Sequence, residues 1–112
     1  MKTSKIPRRR FALEVWRGLV VVGPVLTGLL LLIAALGQVV AVQEGWPLED
    51  GLYFSFVTGL TIGFGDLVPK TGLARAVAMV IGLAGIVLTG IVVAVAVQAL
   101  RAAIDSADDE HP

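Results

Sequence analysis

The sequence predicts an all-α membrane protein in which two transmembrane helices flank a shorter re-entrant helix. Three observations lead to this fold class: an apolar composition, two long uncharged segments, and a long loop between them with its own short apolar stretch. The chain has 112 residues, of which 56% are apolar, whereas about 45–50% is usual for soluble domains. The mean hydropathy is +0.87. The composition therefore indicates a membrane protein with a single domain.

Charge and cysteine content narrow the function classes. Charged residues make up only 16% of the chain and the net charge is zero, so no overall basic field favours binding to nucleic acid. The absence of cysteine excludes disulfides and thiolate metal sites, and the one histidine cannot form a metal site alone. The sequence also shows no combination of a nucleophilic residue with a general base that would indicate an enzyme. We therefore expect neither enzymatic activity nor a cofactor.

The two uncharged segments predict the transmembrane helices. Residues 19–42 contain no charged side chain across 24 positions, and as a helix they would reach about 36 Å, enough to cross a hydrocarbon core of about 30 Å. Residues 76–100 form a second uncharged run of 25 positions. We therefore predict an outer helix at 19–42 and an inner helix at about 73–103, within one domain at 19–103.

The basic residues predict the orientation of both helices. Most of them precede the first span, and the loop between the spans offers only Lys70 and Arg75. The positive-inside rule then predicts that the chain lies in a cell's inner (plasma) membrane with both termini on the cytoplasmic side. Residues 1–18 would be a cytoplasmic N-terminus, in which residues 6–17 could lie as a short interfacial helix. Residues 104–112 would be an acidic cytoplasmic tail.

The loop between the spans begins with a helix signal. Pro47 is followed by Glu49 and Asp50, and acidic residues favour the positive end of a helix dipole. An apolar stretch of about ten residues follows, too short to cross a membrane. We predict a re-entrant helix at about 48–60, a kind of element tolerated at membrane depth only where protein buries it or where it lines an aqueous path.

After that helix comes the segment that carries the chemistry, residues 61–66, which read Thr-Ile-Gly-Phe-Gly-Asp. Gly63 and Gly65 permit backbone conformations that other residues avoid. Alternate residues can then turn so that successive carbonyl oxygens point the same way. Four copies of this segment around one axis would stack rings of carbonyls able to replace the hydration shell of a cation.

This motif, with the apolar segments on both sides, resembles the potassium channel pore family, whose filter is commonly Thr-Val-Gly-Tyr-Gly-Asp with Ile and Phe as known substitutes. The resemblance covers nearly the whole chain and is greatest to bacterial two-transmembrane members. It implies a homotetramer in the lipid bilayer that conducts potassium ions, with a pore helix at about 48–60 and a selectivity filter at 61–66. Five residues would form the ion sites, and K⁺ would be held at the first four of them: Thr61, Ile62, Gly63, Phe64 and Gly65.

The resemblance assigns further roles outside the ion sites. Asp66, Thr58 and Val57 would support the filter or form its outer mouth, with a solvated loop carboxylate as the alternative for Asp66. Thr89 would line the water-filled cavity, with a hydroxyl bonded to its own helix as the alternative. Gly85 would be the gating hinge, but small residues also allow close packing of membrane helices.

Several positions depart from the family pattern. Leu60 replaces a frequent second threonine, Phe64 lacks the tyrosine hydroxyl, and Tyr53 and Phe54 stand where tryptophans are frequent. We therefore expect the filter to be held more by packing than by hydrogen bonds. Two alternative functions remain open: a poorly selective monovalent cation channel, and a non-conducting membrane hairpin that anchors or regulates another protein.

Overall fold

A computed structural model describes residues 8–110, with side chains to residue 105, as three helices. They are α1 (Arg8–Glu44), α2 (Leu48–Gly59) and α3 (Gly72–Glu110). Within residues 8–110 there is no strand. The predicted all-α class is therefore confirmed.

Two of the helices are long and apolar enough to cross a membrane, Arg8–Glu44 and Gly72–Asp105. In the most apolar 18-residue window of each, only 6% and 17% of the residues are buried within the chain. Nearly all of this apolar surface must therefore be covered by lipid or by other chains, as expected of a membrane protein.

Both long helices extend beyond the predicted spans, α1 at its N-terminal end and α3 at its C-terminal end. Residues 8–17 are the first turns of α1, so the separate interfacial helix suggested for residues 6–17 is not observed there. A helix started at Arg8 continues because no strong breaker lies between Arg17 and Leu19, and Gly18 alone costs only about 1 kcal/mol. α3 likewise stays helical to Glu110. Residues 1–7 and His111, and the side chains from 106 onward, lie outside the described part.

The unit formed by Val25–Thr89 contains α2 and the parts of α1 and α3 that pack on it. Its core is a buried cluster of Ile33, Val40, Phe54, Ala74 and Ile81. The rings of Trp46 and Phe54 pack in an edge-to-face arrangement, with centroids 5.3 Å apart. This cluster fixes α2 between the two long helices.

Two glycines let the long helices approach α2 closely. A Cβ at Gly37 of α1 would overlap Ser55 Oγ and lie 2.7 Å from the Gly51 carbonyl oxygen. A Cβ at Gly85 of α3 would overlap the Gly59 carbonyl oxygen. The backbone of α2 is therefore in contact with α1 on one side and with α3 on the other.

The second unit consists of the described residues up to Pro24 and from Gly90 onward. Here α1 approaches α3 at Gly18, where a Cβ would lie 2.6 Å from Val95 Cγ1. Val95, Ala99 and Ala103 are the buried apolar residues of α3 in this unit. Small residues thus allow the two helices to pack at this end as well.

Candidate functional site

The segment that follows α2 has an alternating backbone. Thr61, Gly63 and Gly65 have positive φ angles of 60°, 60° and 83°, whereas Ile62 and Phe64 between them do not. Glycine adopts such angles without cost, but a β-branched threonine does so only under strain. Alternation of this kind directs successive peptide N–H groups to one side of the chain.

The hydrogen bonds show which side that is. The amides of Ile62 and Gly63 both donate to the Val57 carbonyl, at 2.9 and 3.1 Å, and the Thr61 amide donates to the Thr58 carbonyl at 3.1 Å. Val57 and Thr58, predicted to support this segment, thus contact it through their main-chain oxygens at the end of α2.

The positions of the carbonyl groups follow from this arrangement. In a planar trans peptide the C=O bond points opposite to the N–H bond, and the described residues contain no cis peptide. Since the amides of Ile62 and Gly63 point toward α2, the carbonyls of Thr61 and Ile62 in the same peptide units point away from it. Residues 61–66 are all exposed in the chain. The segment therefore presents the main-chain oxygens of Thr61 and Ile62 on the face opposite α2.

A side-chain hydrogen bond braces the far end of this segment. The Tyr53 hydroxyl of α2 donates to Asp66 Oδ2 at 2.8 Å. The side chains of Ile62 and Phe64 are 50% and 67% exposed, so within the chain they add little packing. The expectation that packing outweighs hydrogen bonds in the tetramer stays a prediction. The hydrogen bond from Tyr53 was not foreseen, and the sequence signal for it is the phenol at position 53, which can donate to a carboxylate.

A second carboxylate fixes the loop where α3 begins, and sequence reasoning missed it. Glu44 Oε1 accepts hydrogen bonds from the Thr71 amide, at 3.0 Å, and from the Lys70 amide. Glu44 lies two residues beyond the uncharged segment 19–42, outside the predicted span. The bonds from Thr71 and Lys70 hold the pKa of Glu44 below its usual value, and the charges of Lys70 and Arg75 act in the same direction. Glu44 thus joins the end of α1 to the start of α3.

Gly85 and Thr89 occupy α3 without any break in the helix. Gly85 is buried against the Gly59 backbone, which is the packing arrangement considered as the alternative to a hinge. Thr89 is exposed. The hinge at Gly85 and the cavity role of Thr89 both stay predictions.

Two apolar helices that enclose a re-entrant helix, followed by a loop with outward carbonyls, define a pore-loop membrane channel. The comparisons with known proteins agree with this class. The family model described as "Ion channel" matches residues 20–102, and the chain therefore belongs to this ion channel family. This membership bears out the prediction that the chain is not an enzyme.

Curated relatives of the chain are potassium channels, in agreement with the predicted resemblance. Human potassium channel subfamily K member 17 is 44% identical over 46 residues, which are 41% of this chain and 14% of the relative. The open rectifier potassium channel protein 1 of Drosophila melanogaster is 59% identical over 29 residues, 26% of this chain and 3% of the relative. Rat potassium channel subfamily K member 12 is 72% identical over 25 residues, 22% of this chain and 6% of the relative.

The chain thus spans only a small part, 3–14%, of these relatives. No solved structure matches it.

Proposed function

We propose that the chain is one subunit of a homotetrameric channel that conducts potassium ions selectively and passively across a cell's inner (plasma) membrane, with both termini in the cytoplasm. Potassium would be bound by the carbonyl oxygens of Thr61, Ile62, Gly63 and Phe64, with Gly65 completing the filter. The potassium channels among the relatives support the choice of ion.

The observation that carries the proposal is the pair of amides bonded to one carbonyl. Because Ile62 and Gly63 both donate to Val57, two successive carbonyls are directed away from α2. Rings of such oxygens can replace the water around a dehydrated cation. Selectivity would therefore depend on the main chain. Ile62 and Phe64, which stand where the potassium channel pore family commonly has valine and tyrosine, do not alter the main chain.

The tetramer is proposed because one chain provides only one wall of such a passage. A dehydrated cation needs oxygen ligands on all sides, and residues 61–66 are exposed in the single chain. The exposed apolar faces of α1 and α3 provide surface both for neighbouring subunits and for lipid. Four copies related by an axis beside residues 61–66 would close the rings.

Two electrostatic features favour a cation at this place. The carbonyl end of a helix has a partial negative charge, and α2 ends at Gly59, with only Leu60 between it and the filter. Asp66 adds a carboxylate at the other end of the segment. Since Tyr53 donates to it, we assign Asp66 mainly to bracing the filter.

The test is reconstitution of the purified protein in planar bilayers with potassium on one side and sodium on the other. A reversal potential close to the potassium equilibrium potential is the expected result. A value near zero would instead indicate the poorly selective cation channel, and the absence of current in bilayers and of potassium uptake in liposomes would leave the non-conducting hairpin. Cross-linking in liposomes should give a tetramer as the largest closed species.

A further inference from the structure

Gln38 of α1 is a polar side chain in a part of the helix that is otherwise apolar. It lies in the uncharged segment 19–42, where it is the only carboxamide and Thr27 the only hydroxyl. Its side chain is half-buried. A carboxamide at membrane depth is costly unless it finds a hydrogen-bond partner within the protein. The partner of Gln38 therefore indicates what this side chain does.

That partner belongs to the first turn of α2. Gln38 Nε2 donates to the Leu48 carbonyl oxygen at 3.2 Å. A Cβ at Gly51 would lie 3.0 Å from both Nε2 and Oε1 of Gln38, so the carboxamide packs on the α-carbon of Gly51. The hydrogen bond thus joins α1 to the start of α2, and the missing side chain at Gly51 makes room for it.

Helix α2 connects this contact to the proposed filter. Leu48 is the first of its 12 residues. Near its other end, the Val57 carbonyl accepts the hydrogen bonds from the amides of Ile62 and Gly63. The position of the Val57 carbonyl therefore determines where these two peptide units lie, and it depends in turn on how α2 is oriented.

The close contact at Gly37 is a point about which α2 can tilt. A Cβ at Gly37 would lie 2.7 Å from the Gly51 carbonyl oxygen, so α2 touches α1 there as well as at Leu48. From Gly51 to Val57 the helix rises about 9 Å, so a tilt of about 5° at Gly51 would move the Val57 carbonyl by about 0.8 Å. Functional sites tolerate displacements of only about 0.5 Å.

The hydrogen bond restricts this tilt in a way that apolar burial does not. The buried cluster around Phe54 holds α2 between the long helices, but the hydrophobic effect is non-directional. A hydrogen bond weakens steeply when its angle departs from linearity. The bond from Gln38 to Leu48 therefore favours one orientation of α2.

We infer that Gln38 is a positioning residue of the proposed filter: its hydrogen bond to Leu48 sets the tilt of α2 and, through Val57, the spacing of the oxygens that bind the cation. The inference rests on the proposed function for the identity of the ion sites. It gives α1 a role in selectivity, although α1 contributes no residue to the segment 61–66.

Bi-ionic recording of the purified full chain in planar bilayers tests this role with Gln38→Met, which keeps the side-chain length and removes the donor. We expect the sodium permeability relative to potassium to rise about threefold, since one hydrogen bond between membrane helices contributes about 0.6 kcal/mol, a factor of about three. The matched control is Gln43→Met, at an exposed glutamine of the same helix, which should leave the ratio unchanged. An unchanged ratio in Gln38→Met, or an equal rise in both variants, would overturn the inference.

Amide hydrogen exchange in detergent micelles gives a second readout that does not depend on conduction. The amides of Ile62 and Gly63 should lose about threefold of their protection in Gln38→Met and keep it in Gln43→Met. A lower melting temperature with unchanged protection and an unchanged permeability ratio would mean that Gln38 only stabilises the fold, and the positioning role would be wrong.

A second variant covers the case in which Gln38→Met does not assemble. Gln38→Asn keeps a carboxamide but is one methylene shorter, so it should not reach the Leu48 carbonyl and should raise the ratio as well. A wild-type ratio in Gln38→Asn would show that polarity at position 38 is sufficient without this hydrogen bond, and the inference would fall.

The positioning role and the proposed function fail in different ways. Selective potassium current in the wild type with an unaltered ratio in Gln38→Met overturns the positioning role alone. A wild type without current overturns the channel proposal. In that case, a loss of protection at Ile62 and Gly63 in Gln38→Met still shows that Gln38 positions the segment 61–66, and unchanged protection overturns both.

Discussion

Helix α2 and the proposed filter segment 61–66 are neighbours in the chain, but different interactions determine their structures. α2 has five buried residues, namely Gly51, Phe54, Ser55, Val57 and Gly59, and two glycines of the long helices touch its backbone. In the filter segment every residue is exposed, and its shape follows from positive φ angles and hydrogen bonds. Substitutions in α2 contacts should therefore reduce the stability of the fold, whereas substitutions in the filter should reduce conduction or selectivity at nearly unchanged stability.

The largest effect is expected for Gly63→Ala in the filter. A Cβ there has open space around it within the chain, so its cost is conformational: about 1–2 kcal/mol for a left-handed alanine, repeated in each of four subunits. Because residues 61–66 are exposed, the segment can relax into another conformation and so avoid most of this cost. Potassium flux into liposomes should therefore be lost while the melting temperature changes little. The control is Gly82→Ala, a helical glycine that also has open space and should keep its flux. Normal selective flux in Gly63→Ala would contradict the filter assignment.

A large loss of stability is expected for Gly37→Ala at the contact between α1 and α2. The added Cβ would overlap Ser55 Oγ, and overpacking of this kind costs about 1–3 kcal/mol. Thermal unfolding in detergent should show a lower midpoint. Gly28→Ala is the matched control on the same helix, where a Cβ meets open space. Equal melting temperatures for both variants would mean that α2 is not held by this contact.

A smaller effect, on selectivity, is expected for Tyr53→Phe. Tyr53 belongs to α2, and its hydroxyl links α2 to the segment 61–66. The substitution removes the donor to Asp66 and keeps the ring, so the filter should become easier to deform. We expect sodium permeability relative to potassium to rise a few-fold, with little change in melting temperature. Asp66→Asn keeps an acceptor oxygen for the Tyr53 hydroxyl and should have the milder effect. If Tyr53→Phe matches the wild type in bi-ionic reversal potential, the brace has no role in selectivity.

The smallest effect concerns Glu44 and pH. Its pKa is lowered from 4.5 in the folded protein, so its stabilising effect is fully present above about pH 4.5 and is lost as the pH falls through the lower, folded-state value. Glu44→Gln should slightly lower the melting temperature at neutral pH and flatten its decline in acid. Glu49→Gln, at an exposed carboxylate in the first turn of α2, serves as the control. An unchanged acid profile in Glu44→Gln would show that the bond to the start of α3 is unimportant.

The sequence predicted the three helices well, because each has a strong local signal. Uncharged runs marked α1 and α3, and Pro47 with Glu49 and Asp50 marked the start of α2. The start of α1 at Arg8 was missed, since an amphipathic segment before a membrane span can lie along the surface or continue the helix. The contacts of Tyr53 with Asp66, and of Glu44 with Thr71, join residues 13 and 27 positions apart. Local patterns carry no information on such pairs.

The two hydrogen bonds from backbone amides to the Val57 carbonyl bear on how this protein tolerates mutations during evolution. The groups proposed to touch the ion belong to the main chain, which every amino acid shares, so no single codon change can delete one of them. Drift at Ile62 and Phe64 can therefore alter how the passage is supported while its ligands persist. The most damaging mutations should instead fall at Gly63 and Gly65, because any side chain there disfavours the left-handed backbone conformation of these residues.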